Sequence, residues 1–108
     1  SPPSPTTGTL TADGSEQKIV EAGSPAVTLS GYVDLSQMEA GDEVIIREYL
    51  KVKEGGAYVK YYEEKYVGVQ DPPLLHITPK TVTYGGKITI QQTAGVTFKS
   101  FDYDIIKE

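Results

Sequence analysis

The chain has 108 residues, 38% of them hydrophobic, and carries a formal net charge of −5 at pH 7. That length suits one domain around a single core, and the acidic balance argues against a nucleic-acid partner, which needs a clustered positive surface. Cysteine is absent, which excludes disulfides, thiolate nucleophiles and cysteine-based metal sites, and no apolar run approaches the roughly 18–20 residues of a membrane span.

Ser1 to Thr7 forms a Pro/Ser/Thr arm, SPPSPTT. It is too polar to be core, and Pro2, Pro3 and Pro5 stiffen it toward an extended form. It has neither the positive n-region nor the apolar stretch of a signal peptide. An ordered arm with no core of its own must be held by its own domain or by a neighbouring subunit. The domain proper is expected over residues 8–108. Thr9 to Thr11 reads as a short strand, turned by Ala12-Asp13-Gly14-Ser15 into a return strand over Gln17 to Glu21. Ala26 to Leu35 alternates, with Val27, Leu29, Val33 and Leu35 on one face and Thr28, Ser30, Tyr32 and Asp34 on the other. Gly31 falls on the inward face, where glycine signals a bulge or a close backbone approach. Ser36 to Asp42 is a loop with room for one helical turn. A long hairpin follows, Glu43 to Val69, folded about Gly55-Gly56 and ended by Asp71-Pro72-Pro73, because neither proline can donate to a ladder. Leu74 to Thr78 is a short strand, stopped by Pro79. Lys87 to Gln92 turns Ile88 and Ile90 inward. Phe98 to Ile106 closes the chain with Phe101, Tyr103 and Ile105 on one face and Asp102 and Asp104 on the other.

Strands at this spacing, with no amphipathic helix, predict an all-β fold: an antiparallel two-sheet β-sandwich, jelly-roll-like, of about eight strands. The turns rely on Asp-Gly, Ala-Gly and Gly-Gly pairs, and the chain contains no Asn and a single Met. Scarcity of Asn, Cys and Met follows the thermophile trend, so a thermostable domain is expected.

The hairpin permits a register to be written down. A two-residue turn at Gly55-Gly56 tolerates positive φ at both positions. It places Val52 opposite Val59, Leu50 opposite Tyr61 and Val44 opposite Val67 on one face, and Ile45 opposite Tyr66, Arg47 opposite Glu64 and Tyr49 opposite Tyr62 on the other. Apolar meets apolar and opposite charges meet, each pair contributing roughly 0.2–1 kcal/mol. Tyr49, Tyr58, Tyr62 and Tyr66 then form one outward row. Such a row is rigid and amphipathic, suited to a protein contact or to stacking on sugar rings, while strand propensity alone also accounts for tyrosine here. The same register sets Glu48 against Glu63 on the apolar side. Two facing carboxylates can share a proton and act as an acid/base pair, at a spacing used in glycoside hydrolysis. A bulge that turns one of them out, neutralisation by Lys65, or an end that overhangs the core accounts for them without chemistry, and with no neighbouring motif to support catalysis that is the reading preferred.

No other residues assemble a catalytic signature. His76, the single histidine, alternates with Leu75 and Ile77 as a strand residue does, and a zinc site needs three or four ligands. Asp102 and Asp104 lack the further oxygens of a calcium site. No phosphate-cradling loop and no nucleophile motif is present. The expectation is a non-enzymatic protein with no catalytic residue, no metal and no cofactor.

Four stretches, GTLTADGSEQ (Gly8 to Gln17), SGYVDLSQMEAGDEVIIREYLKV (Ser30 to Val52), YYEEKYVG (Tyr61 to Gly68) and KITIQQTAG (Lys87 to Gly95), resemble small virion structural proteins of tailed phages. The resemblance spans nearly the whole of Gly8 to Glu108 and rests on a succession of turns and strands. It implies a capsid decoration, or cementing, protein at the virion surface. Its partners would be the major capsid protein or another virion protein and further copies of itself, with a trimer favoured. It also implies binding through an extended N-terminal arm, here Pro2, Pro3 and Pro5, with Tyr49, Tyr58, Tyr62 and Tyr66 as a further contact surface. A carbohydrate-binding module using the tyrosine row is the alternative.

Overall fold

The computed structural model describes residues 4–108. Eight strands run β1 Ser4–Thr11, β2 Gln17–Ala22, β3 Val27–Asp34, β4 Glu43–Leu50, β5 Val59–Val67, β6 Leu74–Val82, β7 Gly86–Ala94 and β8 Ser100–Lys107. They form two antiparallel four-stranded sheets, one ordered β1-β8-β3-β6 and the other β2-β7-β4-β5. The expected two-sheet sandwich is therefore the fold.

The pairing has a simple rule. β1 pairs with β8, β2 with β7, β3 with β6 and β4 with β5. The chain is thus one long double-stranded ribbon whose tip is the β4–β5 hairpin. Two further pairings, β3 with β8 and β4 with β7, roll that ribbon into the two sheets. Alternation supplies the core, because in each strand the residues of one parity point between the sheets. Leu29, Val33, Ile77, Val82, Phe101 and Ile105 meet Val20, Val44, Ile46, Ile88 and Ile90, and the loop residues Ala12, Leu35 and Met38 close one end. Each fully buried aliphatic or aromatic side chain of this set contributes roughly 1.5–3 kcal/mol.

Several sequence expectations are met and several are corrected. Gly31 does mark a bulge, since the β3–β6 register shifts between Leu29 and Gly31. Ser4 to Thr7, expected as an arm, continue β1 and pair with Asp104 to Lys107 of β8. These four residues are held by their own domain, while Pro2 and Pro3 lie outside the described residues. Pro79 does not stop β6, which runs on to Val82. β6 is an edge strand with its register shift next to Pro79, the one setting in which a missing N–H costs a sheet little.

The hairpin register is the largest correction. Gly55, not the Gly55-Gly56 pair, carries the positive φ of +73°, and the Gly56 N–H bonds back to the Lys53 carbonyl at 3.0 Å. The turn therefore centres one residue earlier than predicted. Leu50 opposes Val59 and Tyr49 opposes Lys60; Tyr61 is then bulged out, after which Glu48 opposes Tyr62, Arg47 opposes Glu63 and Val44 opposes Tyr66. A slip of one residue moves side chains to the other face, and it does so here for Tyr62 and Tyr66.

Candidate functional site

Charged and aromatic groups gather in three places, each built by the rolled ribbon. The first lies between the sheets where edge strands β5 and β6 approach. Glu48 follows Val44 and Ile46 on the inward face of β4 and is only 4% exposed. Its Oε1 accepts from the Tyr61 hydroxyl at 2.7 Å and pairs with Lys80 Nζ, from the opposite sheet, at 2.7 Å. Lys80 also donates to the Thr78 carbonyl. Burial, followed by the bond to Glu48, holds the Tyr61 hydroxyl well above its ordinary pKa. Glu63, the supposed partner of Glu48, is on the other face, bonded to Arg47 Nε at 2.8 Å and Lys60 Nζ at 2.9 Å. The two carboxylates are not paired. The bulge at Tyr61 separates them, and the cation that neutralises Glu48 is Lys80, because Lys65 is drawn to Glu43 at 3.4 Å.

The second place is the outer face of the β2-β7-β4-β5 sheet. Glu16 accepts from both Tyr49 and Thr89, and Arg47 lies 3.5 Å away. Burial opposes ionisation of Glu16, but these bonds and the Arg47 and Lys87 charges more than offset it and hold the carboxyl below the usual range. Arg47 also reaches Gln91 at 2.9 Å. Lys87 Nζ sits 4.8 Å from the ring centres of Tyr49 and Tyr58, and Lys51 Nζ lies 4.7 Å from that of Tyr58. The Tyr58 hydroxyl donates to Glu21 at 2.6 Å, and burial together with that carboxylate pushes its pKa up to about 12.

The tyrosine row expected on this face is therefore divided. Tyr49 and Tyr58 lie here. Tyr62 and Tyr66 point inward, their hydroxyls 3.4 Å apart, with Tyr66 against the core. Neither a four-tyrosine contact surface nor a sugar platform using Tyr58, Tyr62 and Tyr66 exists as one face.

The third place is the end closed by the 35–42 and 95–99 loops. Asp42 is 2% exposed. Its Oδ2 accepts the Glu39 N–H at 2.9 Å and pairs with Lys99 Nζ at 3.1 Å, and Glu39 lies 3.2 Å from the same ammonium. The Glu39 N–H, and then Lys99, hold the Asp42 carboxyl below its ordinary value of 3.8. A group lowered in this way contributes stability above its unfolded pKa and loses it as pH falls through the folded one. The urea midpoint should therefore be flat near neutral pH and fall below about pH 4, and Asp42→Asn should show a shallower fall. An unchanged slope in the variant would remove Asp42 from the acid response.

On the outer face of the other sheet, His76 stacks on Tyr32 with ring centres 5.1 Å apart, and Asp102 accepts from Thr9 at 2.6 Å. Asp102 and Asp104 are exposed, as the alternation predicted. No three His, Cys, Asp or Glu side chains among the described residues come together as a metal-ligating group.

The chain matches no family model, no curated protein and no solved structure.

Sequence reasoning missed Lys80, Asp42, Lys99 and Glu16. An acid on an apolar stripe announces that a buried cation must answer it. Nothing in the spacing says which of the chain's lysines does so, because Lys80 arrives from another sheet.

Proposed function

We propose that this chain is a non-enzymatic structural protein of a virion surface, a decoration-type component that associates with copies of itself and with a capsid protein. The observation that carries the reading is the strand order. Two sheets ordered β1-β8-β3-β6 and β2-β7-β4-β5, made by rolling one ribbon, are the connectivity we read as a jelly roll, an architecture shared by viral capsid and lectin domains. The support is architectural and joins the resemblance of the four stretches described above. The buried carboxylates fit the same reading: Glu48 and Asp42 are each occupied by a lysine and a hydrogen-bond donor that tie separate parts of the fold together. β1 is an edge strand, and its free edge is the surface by which the N-terminal segment would lie along a neighbour.

Sedimentation equilibrium of the full chain over a concentration series tests this. A trimer, at three times the 11.7 kDa chain mass, is the expected species, and removal of residues 1–3 is expected to weaken it. A monomer at every concentration that also fails to cosediment with capsid shells would overturn the proposal.

A further inference from the structure

A cavity of about 560 Å³ lies along edge strands β1 and β2, one from each sheet. Thr6 and Lys107 line it from one sheet and Lys18 to Ala22 of β2, with Gly23 just beyond, from the other, together with Lys51, Tyr58, Tyr84 and Gly85. That volume is in the range of small-molecule sites, roughly 300–1,000 Å³.

Its charge is opposite to that of the chain. The protein has 15 acidic residues against 10 basic ones, yet the lining contains three lysines and one carboxylate, Glu21. Six of the ten cations, Lys18, Arg47, Lys60, Lys65, Lys80 and Lys99, have carboxylate partners. Among the described residues Lys51, Lys53, Lys87 and Lys107 have none. Of these four, Lys51 and Lys107 line the cavity; Lys87, over the ring of Tyr58, already acts on Glu16 and Glu21 and is not counted with them. In a chain with carboxylates to spare, ammonium groups left without counter-ions around one concavity create a local positive field.

The groups are also held in place. The Lys51 N–H bonds the Gly85 carbonyl at 2.8 Å, and its stem packs so closely on Gly85 that a Cβ there would stand 2.9 Å from Lys51 Cδ. Tyr58 is fixed by Glu21 and the two lysines. Tyr58 and Tyr84 supply aromatic wall, and Glu21 and Thr6 supply hydroxyl-bonding oxygens beside the ammonium groups. Aromatic wall with hydroxyl acceptors suits a polyhydroxylated ring.

We infer that this cavity binds an anionic oligosaccharide, a sulfated or uronate-bearing glycan, with Lys51 and Lys107 meeting the anionic groups and the Tyr58 and Tyr84 side facing the sugar rings. The inference goes beyond the structural role proposed above and stands or falls separately from the oligomer measurement.

The test is an amide-resolved NMR titration with a sulfated tetrasaccharide, its desulfated counterpart and hexaglutamate. Saturable shifts confined to Thr6, Lys18 to Gly23, Lys51 and Tyr84-Gly85 are expected with the sulfated probe. The desulfated probe should bind at least about tenfold more weakly, and binding should fall with added salt. Lys51→Gln with Lys107→Gln should weaken binding by a further about tenfold, whereas Lys53→Gln, an unpaired lysine outside the cavity, should bind as the parent does. Absence of saturable shifts overturns the inference. So does equal binding of hexaglutamate, which would make the site one for acidic peptides, or a dispersed double-variant spectrum with undiminished binding. Should the double variant not fold, the shift map of the parent chain decides.

Discussion

An alanine at position 31 is expected to cost more than about 4 kcal/mol, the exceptional end of single substitutions. Gly31 has a φ of +155°, and a Cβ there would overlap the Asp104 carbonyl oxygen and approach Ile105 Cα to 2.8 Å. Both are backbone atoms of β8, so no side chain can swing aside. Relief requires β3 and β8 to separate, and that pairing joins the β1–β8 and β3–β6 halves of one sheet. A domain of this size has a total stability of roughly 5–15 kcal/mol, so Gly31→Ala should leave a large unfolded fraction. Equilibrium urea unfolding measures it, with Gly23→Ala as the control, because a Cβ at Gly23 meets nothing within 4 Å. A Gly31→Ala protein within about 1 kcal/mol of the parent would show that the two strands are not this close.

The second large effect concerns Lys80. Removing one member of a buried ion pair leaves the other charge uncompensated, typically at a cost of 3–5 kcal/mol, whereas replacing both members by apolar groups is often neutral or stabilising. The Lys80 and Glu48 side chains are 12% and 6% exposed, which places the pair in that regime. Lys80→Ala should thus destabilise by roughly 3–5 kcal/mol. Lys80→Met combined with Glu48→Leu should recover most of the loss, since the half-exposed Tyr61 can turn its hydroxyl to water. The coupling energy of the four-member cycle should exceed about 1 kcal/mol. Single and double variants with additive effects would mean that water already solvates the pair.

Much of the framework was legible along the chain. Alternation at Val27 to Leu35, at Ile88 and Ile90, and at Phe101 to Ile105 marked strands with one inward face: Leu29, Val33, Leu35, Ile88, Ile90, Phe101 and Ile105 are buried, and Val27 and Tyr103 pack partly buried against them. The isolated glycine at position 31 announced a bulge or a close backbone approach, and the structure has both. Local chemistry is enough for such features, because alternation and the missing Cβ act within a few residues. The candidate site was legible only in part. Glu48 stood out as an acid on an apolar stripe, but its proposed partner was wrong.

What the sequence by itself determined was the all-β character, most strand positions and the presence of the long hairpin. Its period-two pattern and turn residues dictate these without reference to distant parts of the chain. Only the tertiary structure decided the hairpin register, because either of two adjacent turn positions satisfies Gly55-Gly56 and both give plausible cross-strand pairs. The choice follows from contacts the hairpin makes elsewhere. Lys51 leaves the ladder to bond Gly85, Tyr61 bulges to reach Glu48, and Lys80 crosses from the opposite sheet to meet that carboxylate. Each contact joins residues more than ten positions apart in sequence, and each depends on the ribbon rolling up. The division of the tyrosines and the lysine-lined cavity follow from that rolling, since it alone brings β1, β2 and the two loop tips together.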